Sequence, residues 1–337
     1  MIKEAIKKIV QKQDLTEQEA SEVMEEIMSG KTTDAQIGAF ITVLKMKGET
    51  IDEVTGFVRV MRKKATSPGV KEGVTIVDTC GTGGSGRDAF NVSTASAFVV
   101  AGSGLKVAKH GNRAISSLCG SADVIQELGV NINIPAERVG ECIDKVGIGF
   151  LFAPAFHGAM KYAIGPRREI GIRTVFNIIG PLTNPTGASA QVLGVYDAGL
   201  TEIMANVLKN LGVRRAFVVH GEDGMDEITV SGKTKVSELK DGRVSTYEVS
   251  PETFGFKKRK IDQIKGGLPR VNAGIIMSVL KGEKGAGREI TVMNAACAIV
   301  AGGKAGDFAE GVKIAETSID SGSALKKLEL MKDFTNT

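Results

Sequence analysis

The run VDTCGTGGSGRDAFNVST, residues 77–94, leads an apolar stretch through Gly81, Gly83, Gly84 and Gly86 into a helix start at Asn91, Ser93 and Thr94. Glycine carries no side chain to keep an anion away from the backbone N–H groups. A helix start adds unpaired donors and about half a positive charge. The hydroxyls of Ser93 and Thr94 suit a phosphate oxygen or a metal ion. A second run, KHGNR from Lys109 to Arg113, follows the apolar LKVA. It sets a point-charge cation and amide groups at a strand end, where open α/β sheets take ligands. Ser116, Ser117 and the pair Gly120-Ser121 follow, with Ser121 ready to cap a helix and to donate to phosphate. A third run, HGEDGMDEI at 220–228, places Asp226 and Glu227 side by side after the apolar AFVV. Adjacent carboxylates suit Mg²⁺, which takes oxygen ligands, keeps waters and bridges phosphates.

Gly81, Gly83 and Gly86 also fit the dinucleotide pattern G-x-G-x-x-G. That reading needs an acid about 20 residues on. Residues 100–110, VAGSGLKVAKH, hold none. No G-x-x-x-x-G-K-[ST] phosphate loop occurs there. The histidines are His110, His157 and His220. His110 lies among ligand-type groups and His157 before a basic stretch, whereas His220 reads as structural. The basic cluster Lys257–Lys260 reads as a solvated face.

These groups must be held by the elements around them. Residues 1–64 read as four helices: one from Ile2, then helices opened by Thr16 with Glu19, by Thr33 and Asp34, and by Thr50. Four short helices without a strand bury little alone, so they should dock on the remainder. Residues 65–73, ATSPGVKEG, read as a linker. Beyond it, strands are expected at Thr75–Val77, Leu105–Ala108, Ile148–Phe152, Gln191–Val195, Arg215–Val219 and Thr246–Val249. Helices are expected at 91–102, 121–129, 136–146, 155–163, 200–211 and 287–302. Alternation of the two predicts an α/β sheet domain. Residues 165–185, ending in GPLTNP, return to helix and turn and are expected to join the helical domain.

The chain has 337 residues, 42% of them hydrophobic and 24% charged, with a net charge of +4. This balance excludes a disordered chain and gives no basic field for nucleic acid. Cys80, Cys119, Cys142 and Cys297 form no CxxC pair, which excludes zinc and thioredoxin-like readings and fits thiols in a reducing cytosol. No apolar run approaches the roughly 20 residues that span a bilayer. A cytoplasmic protein without membrane or nucleic-acid partners is expected.

In their order, GTGG…NVST, KHGNRA…GSAD, the stretch from His157 through Arg167 to GPLTNP, and DGMDEI resemble the anthranilate phosphoribosyltransferases of tryptophan biosynthesis. The resemblance covers nearly the whole chain. It implies the nucleoside phosphorylase-like phosphoribosyltransferase fold. That is an α/β protein with a small all-helical domain, a larger α/β domain with a central, mainly parallel sheet, and a site in the cleft between them. The helical domain would be residues 1–70 joined by about 165–185, and the α/β domain 71–337. It further implies transfer of phosphoribosyl from 5-phosphoribosyl diphosphate (PRPP) to the anthranilate amine, and a homodimer formed through the helical domain.

By the same resemblance, Gly81, Thr82, Gly83, Gly84, Asn91, Ser93, Thr94, Lys109 and Ser121 would hold PRPP. Ser93, Asp226 and Glu227 would bind Mg²⁺, two ions per site. Gly81, Asn112 and Arg167 would contact anthranilate, with His110 and His157 near it, and His110 and Arg167 taken as catalytic. Ser85, Ala89, Val92, Gly111, Arg113 and Ser117 complete the expected substrate-binding set. The family commonly has Asp where this chain has Ser85 and Thr where it has Ala89; Asp88 is the nearest acid to stand in. A pyrimidine-nucleoside phosphorylase shares the architecture, but KHGNRA is the wrong sequence for its base pocket. A relative that binds nucleic acid should have lost the Asp226-Glu227 pair and show a basic surface.

Overall fold

Threonine side chains start most of the N-terminal helices. The computed structural model describes residues 1–337 apart from 72, 85 and 115–117. Its first elements are α1 (Ile2–Val10), α2 (Glu17–Met28), α3 (Asp34–Lys47) and α4 (Ile51–Lys64). Thr16 with Glu19, Thr33 with Gln36 and Thr50 with Glu53 form capping boxes on α2, α3 and α4. Each box satisfies two backbone donors that a helix start leaves unpaired. Glu53 is wholly buried and also accepts from the Leu15 N–H (2.9 Å) and from Lys47 Nζ (3.0 Å). Gly56 lets α4 lie directly on α2: a Cβ there would stand 2.4 Å from the Glu17 carbonyl oxygen.

The chain then enters a sheet as β1 (Ile76–Gly81), α5 (Val92–Gly102), β2 (Lys106–Gly111), α6 (Ser121–Glu127), α7 (Ala136–Lys145) and β3 (Ile148–Phe152). It leaves as α8 (Ala153–Phe156), α9 (Lys161–Ile170) and α10 (Val175–Ile179). It returns as β4 (Ala190–Gly194), α11 (Leu200–Asn210), β5 (Arg215–Gly221), β6 (Thr234–Lys240) and β7 (Arg243–Val249). The last helices are α12 (Pro269–Leu280), α13 (Ala286–Ala301), α14 (Phe308–Asp320) and α15 (Ser323–Asn336).

The strand order is β3-β2-β1-β4-β5-β6-β7. Pairs from β3 to β5 are parallel, and β5-β6 and β6-β7 are antiparallel. The chain builds outward from β1 to β3, then crosses back to lay β4 on the other side of β1. The β1–β4 boundary is therefore the switch point at which open α/β sheets take ligands. Gly81 pairs with Gly194, which in turn pairs with Val219, so the glycine loop and the 220–228 run leave one edge of the sheet.

One face of the sheet is covered by α5 and α13, with Phe98, Val100, Ile290 and Cys297 buried there. On the other, Leu193 and Val218 share a buried cluster with α1–α4, α10 and α11. Val175, Phe176, Ile178 and Ile179 belong to that second cluster.

Several elements differ from the sequence expectation. The strands expected at Thr75–Val77 and Leu105–Ala108 run on to Gly81 and Gly111, because Asp78, Thr79, Lys109 and His110 are buried within the sheet despite their polarity. The helix expected over 155–163 is broken. Residues Ala153–Phe156 form one turn, His157 leaves helical geometry (φ −115°, ψ 56°), and α9 runs from Lys161 to Ile170 with Pro166 inside. β6 escaped notice because its buried residues include Thr234 and Ser237, which break an apolar alternation. The helices α12, α14 and α15 were not anticipated.

Candidate active site

The glycine loop and the acid pair meet. The Gly83 N–H donates to Asp226 Oδ2 at 2.9 Å, across 143 positions of sequence. At Gly81 a Cβ would stand 2.5 Å from the same oxygen, and at Gly194 one would stand 1.5 Å from the Asp226 carbonyl. Glycines at these strand ends therefore let the Asp226 turn lie against β1 and β4. Asp223 supports that turn: its carboxylate accepts from the Met225 N–H and from the hydroxyls of Thr229 and Ser231. From α13, Asn294 holds the backbone N–H and carbonyl of Ile228, each at 3.0 Å. Burial, with the adjacent Asp226 carboxylate, holds Glu227 well above the usual carboxylate range.

Lys109 sits behind the loop and is 2% exposed. Its Nζ donates to the Thr79 carbonyl (2.6 Å) and to Ser93 Oγ (3.2 Å). Desolvation lowers its pKa, against the pull of Asp78 and Glu227. Asp78, fully buried, is raised by desolvation; Asn184 Nδ2 donates to it at 2.9 Å and the His110 N–H at 3.3 Å. A cavity of about 10 Å³ opens among these groups, lined by Thr79, Ser93, Asp226, Glu227 and Asn294. Its size suits one water or a small ion.

The donor set there is hard oxygen only. Among the described residues no group of three or more His, Cys, Asp or Glu side chains forms a metal cage. Two carboxylates and the Ser93 hydroxyl fit Mg²⁺, which shares its shell with waters and substrate oxygens rather than taking an all-protein cage. The raised Glu227 also fits: a bound cation would offset the burial and the neighbouring Asp226 charge that favour its protonated form.

The imidazoles of His110 and His157 lie with centroids 5.1 Å apart at 65°. Both residues are 7% exposed, and the Nε2 atoms of both have no hydrogen-bond partner. Burial pushes His110 down to about 3, helped by His157, and His157 down to about 4, so both are neutral at neutral pH. Arg167, on α9, stacks its guanidinium on Phe176 at 5.1 Å and makes no ion pair among the described residues. Desolvation lowers its pKa.

Several other expected residues are bonded within the protein. Asn91 donates to the Cys119 carbonyl (3.3 Å) and accepts from Asn272 Nδ2 (2.9 Å), tying α5 to α6 and α12. Arg113 is turned onto Asp123 (2.9 Å) and Gln126 (2.6 Å). Asn112 and Ser121 face each other, with Ser121 Oγ 3.4 Å from the Asn112 carbonyl, and Gly111 leaves room for that hydroxyl. Thr94 and Val92 are wholly buried, and Thr94 Oγ1 lacks a partner. Ala89 bridges to Lys265 and Thr82 Oγ1 accepts from the Tyr196 N–H. Gly84 lies under Arg173, and Asp88 is exposed. Ser85 and Ser117 lie outside the described residues. His220, read as structural, bonds the Val195 carbonyl at 2.7 Å through Nδ1.

Sequence reasoning missed Arg173, Asn184, Asn272 and Asn294. Asn294 had a signal, being a lone amide in the apolar run TVMNAACAIVA. Asn184 lay inside the quoted GPLTNP. Arg173 and Asn272 had none, since their partners are 89 and 181 positions away.

Residues 3–65 match the model of the glycosyl transferase family, helical bundle domain, and residues 73–325 that of the glycosyl transferase family, a/b domain. Over 335 residues the chain is 56% identical to the anthranilate phosphoribosyltransferase of Pelotomaculum thermopropionicum, covering 99% of this chain and 97% of that protein. The crystal structure of anthranilate phosphoribosyltransferase from Thermus thermophilus superposes with a TM-score of 0.94 at 41% identity, covering 99% of both chains. The enzyme of that name from Saccharomyces cerevisiae, in complex with PRPP and Mg, superposes with a TM-score of 0.91 at 28% identity, covering 99% of this chain and 98% of that one.

Proposed function

The chain belongs to the anthranilate phosphoribosyltransferase family, and from that membership we propose how its residues carry out the family's reaction. The enzyme transfers the phosphoribosyl group of PRPP to the amine of anthranilate, releasing diphosphate and giving N-(5-phosphoribosyl)anthranilate. The observation that carries the reading is the Gly83 N–H on Asp226 at 2.9 Å, which joins an anion-receiving loop to a pair of metal-type acids.

In this reading Gly81–Gly84, Ser93, Thr94, Lys109 and Ser121 hold PRPP. The N–H groups of the loop and the Lys109 ammonium take up the charge that grows on the leaving diphosphate. Ser93, Asp226 and Glu227 would hold Mg²⁺, two ions per site in this reading, and that metal would supply Lewis-acid stabilisation of the leaving group. The ribose C1 passes through an oxocarbenium-like state as its C–O bond breaks and its bond to nitrogen forms. The anthranilate amine is neutral at pH 7 and needs little base. Its surplus proton leaves from the product nitrogen to water or to a neutral imidazole. Arg167 pairs with the anthranilate carboxylate, which its lack of an acid partner supports. Asn112 and Gly81 complete the acceptor side. The unpartnered Nε2 atoms of His110 and His157 turn to it; an unpaired buried polar atom costs about 1–3 kcal/mol, and a bound acceptor relieves that cost. Positioning both substrates supplies up to about 7–11 kcal/mol of the barrier, so no Ser-His-Asp type set is required.

The helical unit in this reading comprises residues 1–70 with about 165–185, and the α/β unit 71–337. Direct packing of α9 on α2 and α3, and of α10 on α3 and α4, supports that division. We infer a homodimer through the helical unit, where Val10 and Met46 stand 62% and 82% exposed. We also infer a cytoplasmic location, which four free cysteines support. No helix among the described residues is long and apolar enough to cross a membrane.

The test is loss of anthranilate fluorescence with PRPP and Mg²⁺, with and without a chelator. Metal-dependent loss with diphosphate release is expected. Asp226→Ala with Glu227→Ala should cut that turnover by about 10²-fold or more. Wild-type rates in the double variant would remove both acids from the metal site, and no turnover in folded wild type would overturn the activity.

A further inference from the structure

Arg173 lies between α9 and α10, six residues beyond Arg167. Its Nη2 donates to the Gly84 carbonyl, and its guanidinium stacks on the Tyr196 ring at 4.7 Å. The Tyr196 N–H donates to Thr82 Oγ1 at 3.1 Å, and the Thr82 N–H to the Gly194 carbonyl at 2.9 Å. Arg173, Gly84, Thr82 and Tyr196 thus close a ring of contacts around the glycine loop and anchor it to the end of β4.

Gly83 and Gly84 have φ of +65° and +74°. Two adjacent glycines leave peptide planes free to rotate, and ordering them costs conformational entropy. A loop that offers N–H groups to an anion fails if a carbonyl swings toward that anion. Arg173 holds the Gly84 carbonyl and balances its negative end. The guanidinium lies directly over Gly84, 2.5 Å from where a Cβ would stand. Arg173 is exposed and pairs with no carboxylate among the described residues.

We propose that Arg173 is a positioning residue that holds the glycine loop in the shape that receives the diphosphate of PRPP. Its role rests on the reading of that loop as the PRPP site. Because Arg173 shares a short segment with Arg167, it also ties the loop to the side of the site assigned to anthranilate. Holding the loop ready before the ligand arrives lowers the ordering cost of binding.

Arg173→Ala is expected to weaken PRPP binding about tenfold, read by calorimetry with Mg²⁺, and to raise KM for PRPP by a similar factor. KM for anthranilate and the melting temperature should hold. Tyr196→Leu should move PRPP binding in the same direction, and Tyr196→Phe, which keeps the ring, should not. Arg173→Lys should fail to restore binding, because an ammonium neither stacks as a plane nor forks. Unchanged PRPP binding in Arg173→Ala, or equal rises in both KM values, would overturn the assignment while leaving the activity standing. A folded wild type that binds no PRPP would overturn both.

Discussion

At the scale of single residues, His110 and His157 present the clearest pH dependence. Both are buried and held neutral, down to about 3 and about 4. The unfolded chain, with imidazoles near about 6.5, takes up protons first as pH falls. Their stabilising effect is therefore complete above about pH 6.5 and lost as pH falls from there toward the folded values. At pH 5 each should cost about 2 kcal/mol relative to pH 7. Thermal melts at both pH values should show a smaller difference in His157→Gln than in wild type; equal differences would mean that His157 is already charged or solvated. Arg167 gives a second prediction. Its guanidinium is desolvated and has no acid partner, so a substrate carboxylate is its natural counter-ion. Arg167→Ala should raise KM for anthranilate by about tenfold or more and leave KM for PRPP nearly unchanged. Steady-state kinetics with each substrate varied decides it, and equal shifts would refute the pairing.

At the scale of elements, the helical N-terminal region depends on close contact as much as on caps. Thr50 caps α4, and Thr50→Ala should cost about 1 kcal/mol. Gly56→Ala should cost more, about 2–3 kcal/mol, because a methyl group would stand 2.4 Å from a carbonyl of α2 that cannot yield. Urea melts of the two variants give the order directly; a Gly56→Ala variant as stable as wild type would show that α2 and α4 slide apart freely. Glu53 links both effects, since its carboxylate caps α4, binds the Leu15 N–H and pairs with Lys47. The sheet works by a different rule. β1, β2, β4 and β5 all end in glycine, at Gly81, Gly111, Gly194 and Gly221. All four of these glycines sit where a neighbour's side chain or backbone occupies the space of a Cβ: Asp226 at Gly81 and Gly194, Ser121 at Gly111, and Asp223 at Gly221.

At the scale of the whole molecule, strand order decides what meets what. Laying β4 beside β1 brings residues 81–84 against residues 223–228, which no connection short in sequence would do. Arg62, on α4, reaches the Leu182 carbonyl at 2.8 Å, and burial lowers it to about 10. This ties the helical region to the GPLTNP turn beside the sheet. With the inferred dimer, light scattering should give the mass of two chains, and Met46→Glu should shift it toward one. A single-chain mass for wild type at micromolar concentration would remove the dimer from the reading.

Much of this protein was legible from local pattern. The capping box at Thr16, the helix start at Thr50, the glycine run at residues 81–86 and the acid pair Asp226-Glu227 are defined within a few residues of chain. Helix starts, tight turns and paired charges obey short-range rules, so sequence alone determined the α/β class, the helical N-terminal region and the family. Other features had no local signature. The extension of β2 through Lys109 and His110, the seating of Asp78 on Asn184, and the hold of Arg173 on Gly84 each join groups distant along the chain. Asn91, Lys109, Arg113 and Ser121 read as ligand groups, and the internal hydrogen bonds that hold their side chains were not legible. Burial and partner choice depend on strand order and helix packing, which bring together residues that share no periodicity. For that reason only the tertiary structure decided which polar groups lie unpaired and which are bonded within the fold.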